Sequence, residues 1–151
     1  MGDRVSISFT KKEETYGGPT EKKTHLEESP ALFHHWGGTT FPKFAFDWFK
    51  ALRKHLKKNH TGSDRLTRLE PRNLMVQFIN AIKDEENFRL HHYENKTKDI
   101  GGGTWSIDDN LLSYSIYLGK DSQDGDNSDN GHYTIDVDAG KLYNGKGESI
   151  A

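Results

Sequence analysis

The residues with the most chemistry to offer lie in one run, Asp121-Ser122-Gln123-Asp124-Gly125-Asp126-Asn127-Ser128-Asp129-Asn130-Gly131-His132-Tyr133. Carboxylates, amides and hydroxyls alternate there with glycine, a donor set suited to a hard cation. In the best register, Asp126, Ser128 and Asn130 take the first, third and fifth positions of a calcium loop. Gly131 takes the sixth and the His132 carbonyl the seventh. A turn around an ion presents every second side chain, and glycine permits the sharp bend. The second half of the loop departs from this pattern, because Val137 stands at the twelfth position, where a bidentate Glu belongs. Asp124 can supply the missing carboxylate from upstream, and Asp136 or Asp138 can do so from the strand end. The candidate ligands are therefore Asp124, Asp126, Ser128 and Asn130, and the cation they suit is calcium or magnesium. The competing reading is a long solvated hairpin loop, which has the same composition.

The second group of candidates is the histidines. His34, His35, His91, His92 and His132 all fall in or beside segments that read as strands. Neighbours along a strand face opposite sides, so one member of each pair is free to converge with His132. An imidazole so placed serves as a metal ligand or as a general base, since it titrates near neutrality. No nucleophile-elbow pattern surrounds Ser113 or Ser115. Trp36-Gly37-Gly38-Thr39-Thr40 ends a strand directly before a helix, where free N–H groups suit an anion or carboxylate. It lacks the Gly-Lys-Ser/Thr of a phosphate loop and the glycine spacing of a dinucleotide site. The candidate ligand-binding residues are His35, Trp36, Gly37, Gly38 and His132. A tight turn beneath a packed Trp is the alternative for Trp36, Gly37 and Gly38.

The elements that must position these residues follow from periodicity. Val5-Ser6-Ile7-Ser8-Phe9 alternates, which predicts a half-buried strand with Val5, Ile7 and Phe9 inward. Residues 10–30 read as a polar loop or hairpin tip, and Ala31 to Trp36 as a second strand. Phe41, Ala45, Trp48, Phe49, Leu52 and Leu56 recur at helical spacing and predict a helix over 42–58. Pro71 opens a second helix over 71–84, with Leu74, Met75, Phe78, Ile79 and Ile82 on its buried face. Phe88 to Tyr93 reads as a strand and 94–104 as a flexible loop. The last third reads as a meander of Leu111–Leu118, His132–Val137 and Lys141–Tyr143, with a frayed tail over 145–151. The expectation is a single α+β domain over 1–151. Its order is β-β-α-α-β-β-β-β, with two helices packed on one face of a mostly antiparallel sheet.

Composition limits the function. The chain has 151 residues and no cysteine, which excludes disulfides, thiolate zinc sites and a Cys nucleophile. No apolar run approaches a membrane span, and the start has no signal-peptide pattern, so the expected location is cytoplasmic with no membrane partner. Net charge is -2, with the positive balance before residue 100 and the negative balance after it. That division suits a homo-oligomer or a protein partner. The first helix is lysine-rich on its outer side, but the slightly acidic chain carries no nucleic-acid-binding motif, which argues against nucleic acid.

His35-Trp36-Gly37-Gly38, the helix opened by Pro71-Arg72, and Tyr117-Leu118-Gly119 leading into the acidic run together resemble a group of small uncharacterised prokaryotic and viral proteins. The likeness covers residues 4–145. It implies a prokaryotic or viral source and no particular activity. The functional expectation is a domain that binds a small ligand or a divalent cation through the 121–132 loop. The alternatives are a non-catalytic interaction module of viral or mobile-element origin, and a small hydrolase using a histidine or metal-activated water.

Overall fold

The computed structural model describes residues 3–18, 21–59, 69–97 and 115–151. The alternating N-terminal segment forms β1 (Val5–Gly18), which pairs antiparallel with β2 (Glu21–Glu28). β3 (Ala31–His34) continues along the same side of β1. Between β2 and β3, Ser29 holds the ladder together. Its N–H donates to the Phe9 carbonyl, and its Oγ accepts from the Phe9 N–H, each at 2.9 Å. Pro30, with no N–H to offer, marks the break. The helices are α1 (Thr40–Asn59) and α2 (Pro71–Thr97). After them come β4 (Ile116–Gly119), β5 (His132–Asp136) and β6 (Lys141–Tyr143).

The six-stranded sheet has the order β4-β3-β1-β5-β6, with β2 extending the ladder along β1. Among the described residues, β1 and β5 are the one pair of neighbouring strands that run parallel. The fold is α+β, with both helices packed on one face of a mostly antiparallel sheet. Val5, Ile7 and Phe9 point to that face and are buried against Phe41, Ala45 and Phe49 of α1 and Leu74, Phe78 and Ile82 of α2. Phe9 is the hub of this core. Its ring lies 6.2 Å from Trp48, 6.3 Å from Phe49 and 6.2 Å from Phe78. Among the described residues, no helix is long and apolar enough to cross a membrane.

Several expectations are corrected. Among the described residues the order is β-β-β-α-α-β-β-β. Within the expected 10–30 loop, residues 10–18 and 21–28 pair as a two-stranded ribbon, and 19–20 lie outside the described residues. Residues 88–93 continue α2 instead of forming a strand, and so do 94–97. No glycine or proline interrupts residues 72–97, so nothing stops the helix there. The rest of the expected 94–104 loop, and 111–114 of the expected first meander strand, lie outside the described residues. The tail is not frayed. The Ile150 N–H donates to the Leu142 carbonyl at 2.8 Å, and the Leu142 N–H donates to the Ala151 carbonyl at 2.9 Å.

β4 and β5 are also not neighbours, so the acidic run is not a hairpin loop. Both strands run parallel to β1, and β3 and β1 stand between them. The connection must therefore cross three strand spacings, about 14 Å. The helices occupy one face, and the run crosses the other.

Candidate functional site: a polar cavity beneath the crossover

The sheet register sets a row of side chains under the crossover. Tyr117 pairs with Phe33, Phe33 with Ser6, and Ser6 with His132, one from each of four adjacent strands. The Tyr117 and Phe33 rings stack at 5.0 Å and 5°. Gly125 passes directly over the Phe33 ring, where an added Cβ would come within 2.8 Å of it. The Tyr117 hydroxyl accepts from the Asp126 N–H at 2.9 Å. Gly131, at φ +81°, turns the chain into β5, and its N–H donates to the Asn127 carbonyl at 2.7 Å. Glycine meets that left-handed φ without steric cost.

His132 is the centre of the polar half of this row. Ser6 and Ser8 lie on the same face of β1, about 6.7 Å apart along the strand. The imidazole bridges that gap, with Nδ1 2.7 Å from Ser6 Oγ and Nε2 2.9 Å from Ser8 Oγ. Ser8 Oγ donates to Glu28 Oε1 at 2.9 Å. The Asn127 amide donates from Nδ2 to Ser6 Oγ at 2.8 Å and to the Ser122 carbonyl at 3.1 Å. Both serines are fully buried.

The His132 ring, 3.7 Å away, and then the Ser8 hydroxyl hold the Glu28 carboxyl below its ordinary range, against an opposing push from burial. As a carboxylate, Glu28 only accepts, so the Ser8 proton is committed to it. Ser8 Oγ must then accept from an Nε2–H of His132. In the tautomer that carries this Nε2–H, Nδ1 is the acceptor for the Ser6 hydroxyl, whose lone pairs face Asn127. The chain Glu28, Ser8, His132, Ser6, Asn127 is thus hydrogen-bonded with one consistent direction.

His132 and Asn127 also line a cavity of about 660 Å³. Its walls come from the crossover (Ser122, Gln123), from β5 (Thr134), from β6 (Tyr143) and from the turn after it (Asn144). Among the described residues lining it there is no Asp, Glu, Lys or Arg.

The candidate cation ligands point to different partners. Asp126 Oδ1 accepts from the Ser128 N–H at 3.0 Å and from Ser128 Oγ at 2.7 Å, so these two are brought together. Asp126 Oδ2 lies 3.1 Å from Arg4 Nε. The two Ser128 hydrogen bonds lower the Asp126 carboxyl most, with smaller help from Arg4 and His35. Asp124 accepts from the Lys120 N–H at 2.8 Å. Asn130 donates to Asp3 Oδ1 at 2.6 Å and to the Arg4 carbonyl at 3.2 Å. Among the described residues, no three His, Asp or Glu side chains gather as a metal-binding group.

The histidines are likewise divided. His34 is buried at 1% exposure, edge-on to Phe41 at 4.7 Å. His35 lies edge-on to Trp36 at 4.6 Å and shares a separate cavity of about 370 Å³ with Trp36, Ser115 and Tyr117. His35 and His132 therefore line different cavities. His91 and His92 are in α2, where strand parity does not apply. At the Trp36-Gly37-Gly38 turn, the expected anion position is beside the chain's own Asp3, whose carboxylate lies directly against Gly38. Asp3 also accepts from Asn130, and this links the turn to the acidic run.

Ser6, Ser8, Glu28, Asn127 and Asn144 were not among the sequence candidates. The parity of β1 places Ser6 and Ser8 on one face, but only the parallel pairing with β5 brings His132 to them. Comparison with models of known protein families, with curated proteins and with solved structures gave no match.

Proposed function

We propose that this protein binds a small polar molecule in the cavity between the crossover, β5 and the turn after β6. One observation carries the reading. The cavity wall at His132 and Asn127 is held rigid by the hydrogen-bonded chain running back to Glu28. Polar groups fixed by a sheet beneath them are what orients a ligand without an ordering cost at binding. Uncharged lining residues favour a neutral ligand over an ion.

A divalent cation is the other ligand expected of the acidic run. It has to compete with Arg4 for Asp126 and Asp129, both of which Arg4 already contacts.

The test is a fragment screen by ¹H–¹⁵N NMR. Binding compounds should shift the Gly125, Gly131 and Gly145 amide signals, which surround the cavity. If no small molecule moves them, the cavity is not a binding site.

A further inference from the structure

We infer that the ligand presents a neutral, planar amide edge, a carboxamide or a lactam, to two fixed side chains, Asn127 and Asn144. This rests on the ligand-binding reading above and specifies its chemistry.

Asn127 has spent both amide hydrogens, one on Ser6 Oγ and one on the Ser122 carbonyl. What remains for a ligand is its Oδ1, an acceptor. Reversal would set Oδ1 against the Ser122 carbonyl oxygen, two acceptors with no proton between them. Asn144 is locked in the opposite sense. Its Oδ1 accepts from the Lys146 N–H and the Glu148 N–H, each at 3.0 Å, and so closes the turn after β6. Reversal would set its NH₂ against two N–H groups. Its Nδ2 hydrogens have no partner among the described residues, and they remain as donors.

The cavity thus offers one fixed acceptor from the crossover and one fixed donor from the β6 turn. A carboxylate has no proton for Asn127 Oδ1. An ammonium has no lone pair for Asn144 Nδ2. A hydroxyl can donate to one and accept from the other, but only through a single oxygen that is free to rotate, so it fixes no orientation. An amide matches both at once, giving its carbonyl to Asn144 and its N–H to Asn127. The Tyr143 ring, also in the wall, supplies a flat apolar face for a conjugated group.

The test is an NMR titration of the full chain with nicotinamide (a carboxamide), uracil (a lactam), nicotinate (the matched carboxylate) and glucose (hydroxyls only). Nicotinamide or uracil should bind at least about tenfold more tightly than nicotinate and glucose, the worth of one well-made hydrogen bond. Which of the two binds better separates carboxamide from lactam. Asn144→Asp keeps the oxygen that closes the turn but has no N–H. It should lose about tenfold in amide affinity with an unchanged Tm. Equal or tighter binding of nicotinate or glucose, or unaltered amide affinity in Asn144→Asp, overturns the inference. If other fragments move the cavity signals without any preference for amides, this inference fails and the ligand-binding reading stands. If nothing moves them, both fail.

Discussion

Over residues 5–10 the two faces of β1 are both buried, and by opposite means. Val5, Ile7 and Phe9 meet a helix layer of aromatic rings, while Ser6, Ser8 and Thr10 lie on the side that the crossover covers. On the first face, stabilisation comes from apolar area removed from water and from ring packing. On the second it comes from hydrogen bonds, and each buried hydroxyl must find a partner. The apolar face tolerates inexact geometry. The polar face does not, and for that reason it can hold a side chain such as Asn127 in one orientation.

The largest expected effect is on the helix side. Phe78 touches Phe9, Phe41, Phe44 and Trp48. Phe78→Ala should cost about 3–5 kcal/mol in urea unfolding, as large cavities in aromatic cores do. His132→Ala attacks the other face by leaving Ser6 and Ser8 without their shared partner. Its cost should be smaller, about 2 kcal/mol, since water can refill a polar gap. Hydrogen exchange should then quicken at 120–131 while the α1 and α2 amides stay protected. If His132→Ala destabilises as much as Phe78→Ala and loosens the helices equally, the polar face is a second core and not a docked cover.

The contrast also explains what the sequence could reveal. Val5, Ile7 and Phe9 announce their face through alternation, and α1 through its apolar stripe, because burial against a regular element imposes a period. Serine carries no such mark. Ser6 and Ser8 read as the exposed side of a half-buried strand, and only the cover supplied from 120–131 overturns that. The acidic run was visible as a special segment, but its reason was not. Asp121, Asp124 and Asp126 accept N–H groups that the run, crossing between non-adjacent strands, cannot pair in a ladder. A cation loop and a self-capped crossover share a composition, and strand order, which tells them apart, is absent from local sequence.

Glu28 provides a milder perturbation of the polar face. Its carboxyl is lowered in the folded state, chiefly by His132. A depressed folded value means that its stabilisation is whole above the ordinary unfolded Glu range, about pH 4.3, and is lost as pH falls through the folded value. Glu28→Gln should therefore lower stability modestly at pH 7 and bring the mutant and wild-type curves together at low pH. The side chain is 41% exposed, so solvent screening keeps the difference small. A gap that persists undiminished at pH 2 would mean that the lost contribution is packing and not charge.

The smallest effect on stability, and the sharpest separation of cavity from acidic run, should come from Arg4. Its guanidinium contacts Asp126 at 3.1 Å and Asp129 at 3.5 Å on the exposed side of the crossover. Arg4→Gln removes that cation and leaves the Arg4 main-chain bonds to Asp129 and Asn130 in place. Stability at low calcium should hardly change, as exposed pairs contribute little. If the carboxylates of the run form a latent calcium or magnesium site, freeing two of them must raise cation affinity, and Tm should then climb with added calcium more steeply than in wild type. If the cavity alone is the functional site, calcium leaves both Tm values in place, and amide titrations of the two proteins coincide. A calcium response in wild type that disappears in Arg4→Gln would contradict both, because it would require the guanidinium to help hold the ion.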